Sequence, residues 1–221
     1  MAVADALLHD RNVVAAFKDW GRRYPDSGWG GRFAKWLFSD ETRPYGSYGN
    51  GAAMRVSPAA LLADSLEEAL QLAEKVTAVT YDHPEGLRGA AATATAIFLA
   101  REGEEATTIR KRIEQDFGYE LAATPADIRP HYNFNETCQG TVPEAIVCAL
   151  AASDFEDAVR EAVSLGGDAD TLGAITGAIA EARFGVPREI GIQTWNRLPG
   201  DMREVLEQLL YAVKGGNLPF V

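Results

Sequence analysis

The sequence predicts an all-α protein, a single compact domain of orthogonally packed helices spanning residues 1–221. Three observations predict it. No stretch alternates apolar and polar residues with the period of two that a half-buried strand needs, and no hairpin turn is signalled. Helix-start patterns recur instead: Ser65 with Glu68, Asp82 with Glu85, Thr141 with Glu144 and Ser153 with Glu156 each set an oxygen-bearing residue three positions before an acid. Two further stretches, 84–101 and 172–184, are crowded with Gly and Ala, which lets neighbouring helices pack closely. A chain of 221 residues can bury a sizeable core, and 47% hydrophobic with 24% charged residues is ordinary globular composition.

In chain order, Met1 to Leu8 reads as a helix already under way. Ala2, Ala4, Ala6 and Leu7 give it an apolar face, and no capping residue precedes it. That face is expected to be exposed and to offer a surface for a partner or for self-association. Asn12 to Trp20 is a second helix, with Val13, Val14, Ala16, Phe17 and Trp20 about a turn apart. Pro25, Gly28, Gly30 and Gly31 mark Arg22 to Gly31 as a loop, and Phe33 to Phe38 is a short apolar helix. In 43–55, Gly46, Gly49 and Gly51 interleave with Ser47, Tyr48 and Asn50. Taken alone this favours a surface turn; the sharper alternative is a loop whose backbone amides approach an anion.

Helices follow from Ser65 to Val79 and from Asp82 to Arg101, the second with Pro84 in its first turn and His83 at its mouth. A histidine there is a hydrogen-bonded surface residue or a ligand contact. Glu104 to Phe117 is helical, and Tyr119 to Gly140 is irregular. Thr141 opens a helix to Ala152, and Ser153 opens one ending near Leu165. Leu172 to Phe184 forms a small-residue helix closed by Gly185 and Pro187. Pro187 to Trp195 and Met202 to Lys214 are further helices, and 215–221 reads as a tail. The total is roughly ten helices.

A net charge of −11 disfavours a nucleic-acid surface, and the basic cluster Arg110-Lys111-Arg112 sits among acids. The sequence has no 18-residue apolar run to cross a membrane, and its start lacks the basic region of a signal peptide. Cys138 and Cys148 in a chain of this size fit reduced thiols and a cytoplasmic setting, with Cys148 in the core.

The chemistry concentrates in Gly166-Gly167-Asp168-Ala169-Asp170-Thr171. Two readings compete. Asp168 or Thr171 caps the helix by accepting bonds from its first amides. Alternatively Asp168, Asp170 and Thr171 supply hard oxygens to Mg²⁺ or Mn²⁺. The second carboxylate is one more than a cap needs, and it tips the balance towards the ion.

That motif and its Gly/Ala helix resemble the C-terminal metal motif of the ADP-ribosylglycohydrolase family. Gly46-Ser47-Tyr48-Gly49-Asn50-Gly51-Ala52-Ala53-Met54-Arg55 resembles the family's substrate loop, and His83-Pro84-Glu85-Gly86 and the segment from Cys138 to Ala145 are similar to its bacterial members. The resemblance implies a helical fold around two Mg²⁺ or Mn²⁺ ions. It also implies hydrolysis of the glycosidic bond joining ADP-ribose to a protein side chain or other acceptor. It makes Asp168, Asp170 and Thr171 metal ligands, with both aspartates catalytic. Ser47, Tyr48, Gly49 and Asn50 would line the diphosphate and ribose, with His83 nearby, and Met54 and Arg55 would serve packing. The sequence departs from the family at its start, where the Thr-Asp-Asp-Thr-like motif that supplies the other ligands has no counterpart. One ion, or none, is then the expectation here, and the alternative function is a non-catalytic ADP-ribose-binding or structural descendant.

Overall fold

A computed structural model describes residues 1–214. Its helices are α1 (Ala2–Leu8), α2 (Val13–Arg23), α3 (Gly31–Phe38), α4 (Gly51–Met54), α5 (Ser57–Leu62), α6 (Leu66–Thr77) and α7 (Pro84–Arg101). They continue as α8 (Ala106–Phe117), α9 (Pro125–Ile128), α10 (Cys138–Ala151), α11 (Phe155–Ser164), α12 (Ala169–Phe184), α13 (Arg188–Arg197) and α14 (Gly200–Lys214). The all-α expectation holds: among the described residues the one β-type pairing is a lone antiparallel bridge between Gly49 and Thr137. The tail expected at 215–221 lies outside the described residues. No helix among them is long and apolar enough to cross a membrane.

The helix enclosed on most sides is α7, with α4, α5, α6, α8, α10 and α12 packed round it. Its run from Ala92 to Phe98 is buried without a break, which only small and apolar side chains allow. Ile97 of α7, Ile109 and Ile113 of α8, Ile146 of α10 and Leu172, Ile175 and Ile179 of α12 share one apolar core. Each such side chain contributes about 1.5–3 kcal/mol by leaving water. By contrast α12 is less embedded than its composition suggests. Leu172, Ile175, Thr176 and Ile179 face inward, whereas Ala174 is exposed. Its glycines face α11, where an added Cβ at Gly177 or Gly173 would meet Val159 at 3.7 Å or Val163 at 3.9 Å, ordinary van der Waals range.

Several starts move. The helix expected at Asp82 is capped by His83, whose Nδ1 accepts from the Glu85 amide at 3.1 Å. Thr141 is not a cap: α10 begins three residues earlier, where the Thr137 side chain accepts from the Gly140 amide. The cap expected at Ser153 belongs to Asp154. Of the four boxes only Ser65 caps as expected, accepting from the Glu68 amide, and even there Glu68 reaches back to the Asp64 amide. The capping oxygen moves by a residue or more because the chain enters each helix from a direction set by tertiary contacts. The irregular stretch 119–140 hides α9, with a full capping box between Thr124 and Asp127.

The apolar face of α1 is not exposed. It packs on α2, α5 and α14, and Ala4 and Trp20 share a cluster with Val205 and Leu209 of α14. The last helix folds back over the first, so the surface expected there for self-association is interior.

Candidate functional site

Gly166 and Gly167 both adopt positive φ, +78° and +61°, the left-handed region that costs other residues energy. This corner places Asp168 at the N-terminal end of α12. The Asp168 side chain makes no capping bond. Its Oδ2 instead accepts from Asn50 Nδ2 at 2.6 Å, across 118 residues of sequence. Asp170 stays local, its Oδ1 accepting from the Thr171 amide at 3.0 Å. Thr171 is buried and donates through Oγ1 to Met54 Sδ at 3.8 Å.

The two carboxyl groups, two positions apart, act on each other electrostatically. Burial first, and the neighbouring carboxyl with it, raises Asp168 above the usual carboxylate range, against the bond from Asn50. Interaction with Asp168 lowers Asp170. Each of two neighbouring carboxyls disfavours ionisation of the other unless a cation neutralises them. Two carboxylates and a hydroxyl are the oxygen donors a hard divalent ion takes. Among the described residues no further His, Cys, Asp or Glu joins them to make a group of three. Two carboxylates and one hydroxyl are fewer oxygens than the full shell of such an ion.

The glycine loop sits against this turn, sewn in place from three sides. The Asn50 amide donates to Glu136 O at 2.7 Å, and Tyr48 O accepts from the Cys138 amide at 3.0 Å. Asp82 Oδ1 accepts from the Gly46 amide at 2.6 Å, which is where the acid read as a helix cap is used. The loop also lies on the first turn of α7, where a Cβ at Gly86 would come within 2.9 Å of Ser47 O. Any larger residue at 86 would push the loop off its seat.

Behind the loop, Arg55 fastens α4. Its guanidinium lies over the rings of Phe17 at 4.6 Å and Tyr81 at 4.5 Å, donates to Thr80 Oγ1 at 2.9 Å and, through Nε, to Gly51 O at 3.0 Å.

Each residue expected at the site can now be placed. The amides of Gly49 and Asn50 are spent, on Ser47 Oγ at 3.3 Å and on Glu136 O. Those of Ser47 and Tyr48 have no partner among the described residues. The Tyr48 ring is exposed and packs at a tilt on the His83 ring, centroids 5.1 Å apart. The Asn50 side chain is 7% exposed and points inward to Asp168.

Three contributors escaped sequence reasoning. Thr141, fully buried, accepts from Asn50 at 3.1 Å and donates to Asn135 O at 3.0 Å. Asn135 O also accepts from Asn50. Tyr132 packs under Gly167, where a Cβ would meet its ring at 2.8 Å. The signal for these was the polar-aromatic run 131–135 next to the segment from Cys138; nothing local ties that run to Asp168. Neither cysteine sits as a ready thiolate. Burial raises both thiols to about 12, leaving Cys138 Sγ donating to Gly49 O.

A helical fold with a glycine loop laid against a paired-aspartate turn defines the class. Residues 1–217 match the family model described as ADP-ribosylglycohydrolase, and the chain belongs to that family. It is 29% identical to the ADP-ribosylhydrolase ARH3 of Bos taurus over 188 residues, covering 64% of this chain and 51% of that protein. It is 31% identical to an uncharacterized protein of Archaeoglobus fulgidus over 175 residues, covering 72% of this chain and 55% of that one. The chain thus spans about half the length of the curated relatives it matches. A solved structure titled ADP-ribosylglycohydrolase-related protein complex shares the fold, with a TM-score of 0.64 at 24% identity over 98% of this chain and 79% of that one.

Proposed function

We propose that the site binds an ADP-ribosyl conjugate and hydrolyses the glycosidic bond between ADP-ribose and its acceptor with the help of a divalent ion, Mg²⁺ or Mn²⁺. One observation carries the reading. Asp168 sits where a helix cap belongs yet leaves the helix amides alone, and turns towards the glycine loop. Asp168, Asp170 and the Thr171 hydroxyl would hold the ion. When bound, such an ion supplies positive charge that orients ribose hydroxyls and lowers the pKa of water.

The chain's own groups do the rest. The Ser47 and Tyr48 amides face the anionic diphosphate, a role that matters in a protein of net charge −11. The Tyr48 ring, steadied by His83, offers a flat apolar surface to the ligand.

The test is release of ADP-ribose from an ADP-ribosylated protein with and without Mn²⁺. Turnover should require the metal and vanish in Asp168→Ala while the thermal melt stays cooperative. Persistence of turnover in that variant refutes the assignment. The absence of a third acidic ligand among the described residues favours one competing reading, a non-catalytic ADP-ribose binder or structural descendant. Calorimetry separates the cases: a binder gives heat with ADP-ribose and no turnover, and a structural protein gives neither.

A further inference from the structure

The Asn50 carboxamide has a determined orientation. Its Nδ2 lies 2.6 Å from Asp168 Oδ2, 3.1 Å from Thr141 Oγ1 and 3.2 Å from Asn135 O. A carboxylate and a carbonyl only accept, and the Thr141 hydroxyl spends its proton on Asn135 O at 3.0 Å. Every atom on that side is an acceptor, so the nitrogen must face it. The shortest of the three bonds goes to the carboxylate, as expected for a charge-assisted donor. Asn50 is also pinned at its own backbone, donating to Glu136 O at 2.7 Å and leading directly into α4. It is thus one buried side chain shared by the glycine loop, the start of α10 and the aspartate turn.

We propose that Asn50 is a positioning residue, whose side chain holds one Asp168 oxygen in place, leaves the other for the ion, and makes ion binding at the turn and ligand binding at the loop depend on each other. The inference rests on the ion-assisted reading above, which treats Asp168 as a ligand. It gives Asn50 a different task from lining the substrate. Removing it releases Asp168 to rotate and frees the loop from its tie to the turn. A ligand that orders the loop then no longer orders the carboxylate. Partners that orient a metal ligand typically affect metal affinity about 10–100-fold.

The experiment measures Mn²⁺ binding by loss of the free-ion paramagnetic signal, with and without saturating ADP-ribose. The proteins are the wild-type chain, Asn50→Ala, Asn50→Leu and Asp168→Ala, each checked by thermal melt. Asn50→Leu keeps the bulk and removes the donor without adding charge, so it serves where Asn50→Ala does not fold.

We expect ADP-ribose to tighten Mn²⁺ binding to the wild type. Either Asn50 variant should weaken Mn²⁺ about 10–100-fold and abolish the tightening. Wild-type affinity and unchanged tightening in a folded Asn50 variant, with the ion lost in Asp168→Ala, overturns the inference and leaves the ion reading standing. An Asp168→Ala chain that still holds Mn²⁺, or a wild type that never binds it, overturns the ion reading and this inference together.

Discussion

Gly166 and Gly167 stand side by side with the same left-handed backbone, yet they should respond differently to one added methyl group. At Gly166 (φ +78°) a Cβ would meet nothing within 4 Å. The cost of alanine is then conformational: about 1–2 kcal/mol for the left-handed region, less about 0.4–1 kcal/mol from a stiffer unfolded chain. The net loss is about 1 kcal/mol. At Gly167 (φ +61°) the same methyl would sit 2.8 Å from Tyr132 Cε1 and 3.2 Å from the Asn133 carbonyl carbon and oxygen.

Backbone cannot yield as a flexible side chain can, and overpacking of this kind adds about 1–3 kcal/mol. Gly167→Ala should therefore cost about 2–4 kcal/mol against about 1 for Gly166→Ala. Urea unfolding with a constant slope measures both. The extra cost should be partly relieved in a Tyr132→Ala background, a coupling that a double-mutant cycle isolates. Equal losses at the two glycines, or additivity with Tyr132→Ala, would refute the claim that the tyrosine ring braces the aspartate turn.

Two further expectations concern pH. Asp5 is buried; its Oδ2 accepts from Trp20 Nε1 at 2.8 Å and from Arg11, and its Oδ1 bonds His9 Nδ1 at 2.9 Å. Burial pushes this carboxyl up, but the bonds from Trp20, His9 and Arg11 outweigh it, so its folded value lies below the unfolded one. Its contribution is present above about pH 4 and lost as pH falls through the lower, folded value. Urea midpoints between pH 3 and 7 should show Asp5→Asn less stable by about 1.5–3 kcal/mol at neutrality and converging with wild type in acid; parallel curves would contradict this.

Glu144 is the opposite case. Burial raises its carboxyl, and Oε2 has no hydrogen-bond partner. Ionising it in the folded state costs stability as pH rises above about 4.3. Glu144→Gln should gain on the order of 1 kcal/mol over wild type at pH 8 relative to pH 4, read from the same unfolding curves. A difference that does not change with pH would show that the carboxyl is solvated or paired.

The helical class was legible because its causes are local. Period, glycine and proline stops, and the absence of alternating strands need no partner to be recognised. The turn at 166–171 was equally plain, since two glycines before two aspartates and a threonine state both a backbone requirement and a chemistry. The start of α10 was missed because Thr141 with Glu144 satisfies the same spacing rule as a true cap, and only the bond donated by the Gly140 amide to Thr137 Oγ1 shows which oxygen is used. The buried face of α1 was missed for a different reason. Its cover, α14, comes some two hundred residues later, and no local pattern announces such a return.

What the sequence determined by itself was therefore the helical fold class, the rough placement of the longer helices, and the oxygen-rich turn with its glycine loop, each fixed by short-range sterics and side-chain chemistry. Only the tertiary structure decided that Asn50 and Asp168 share a hydrogen bond, that Asp82 holds the loop, and that α7 lies at the centre. Those facts are contacts between distant segments, and their energy comes from burial and pairing that exist only once the chain has closed on itself.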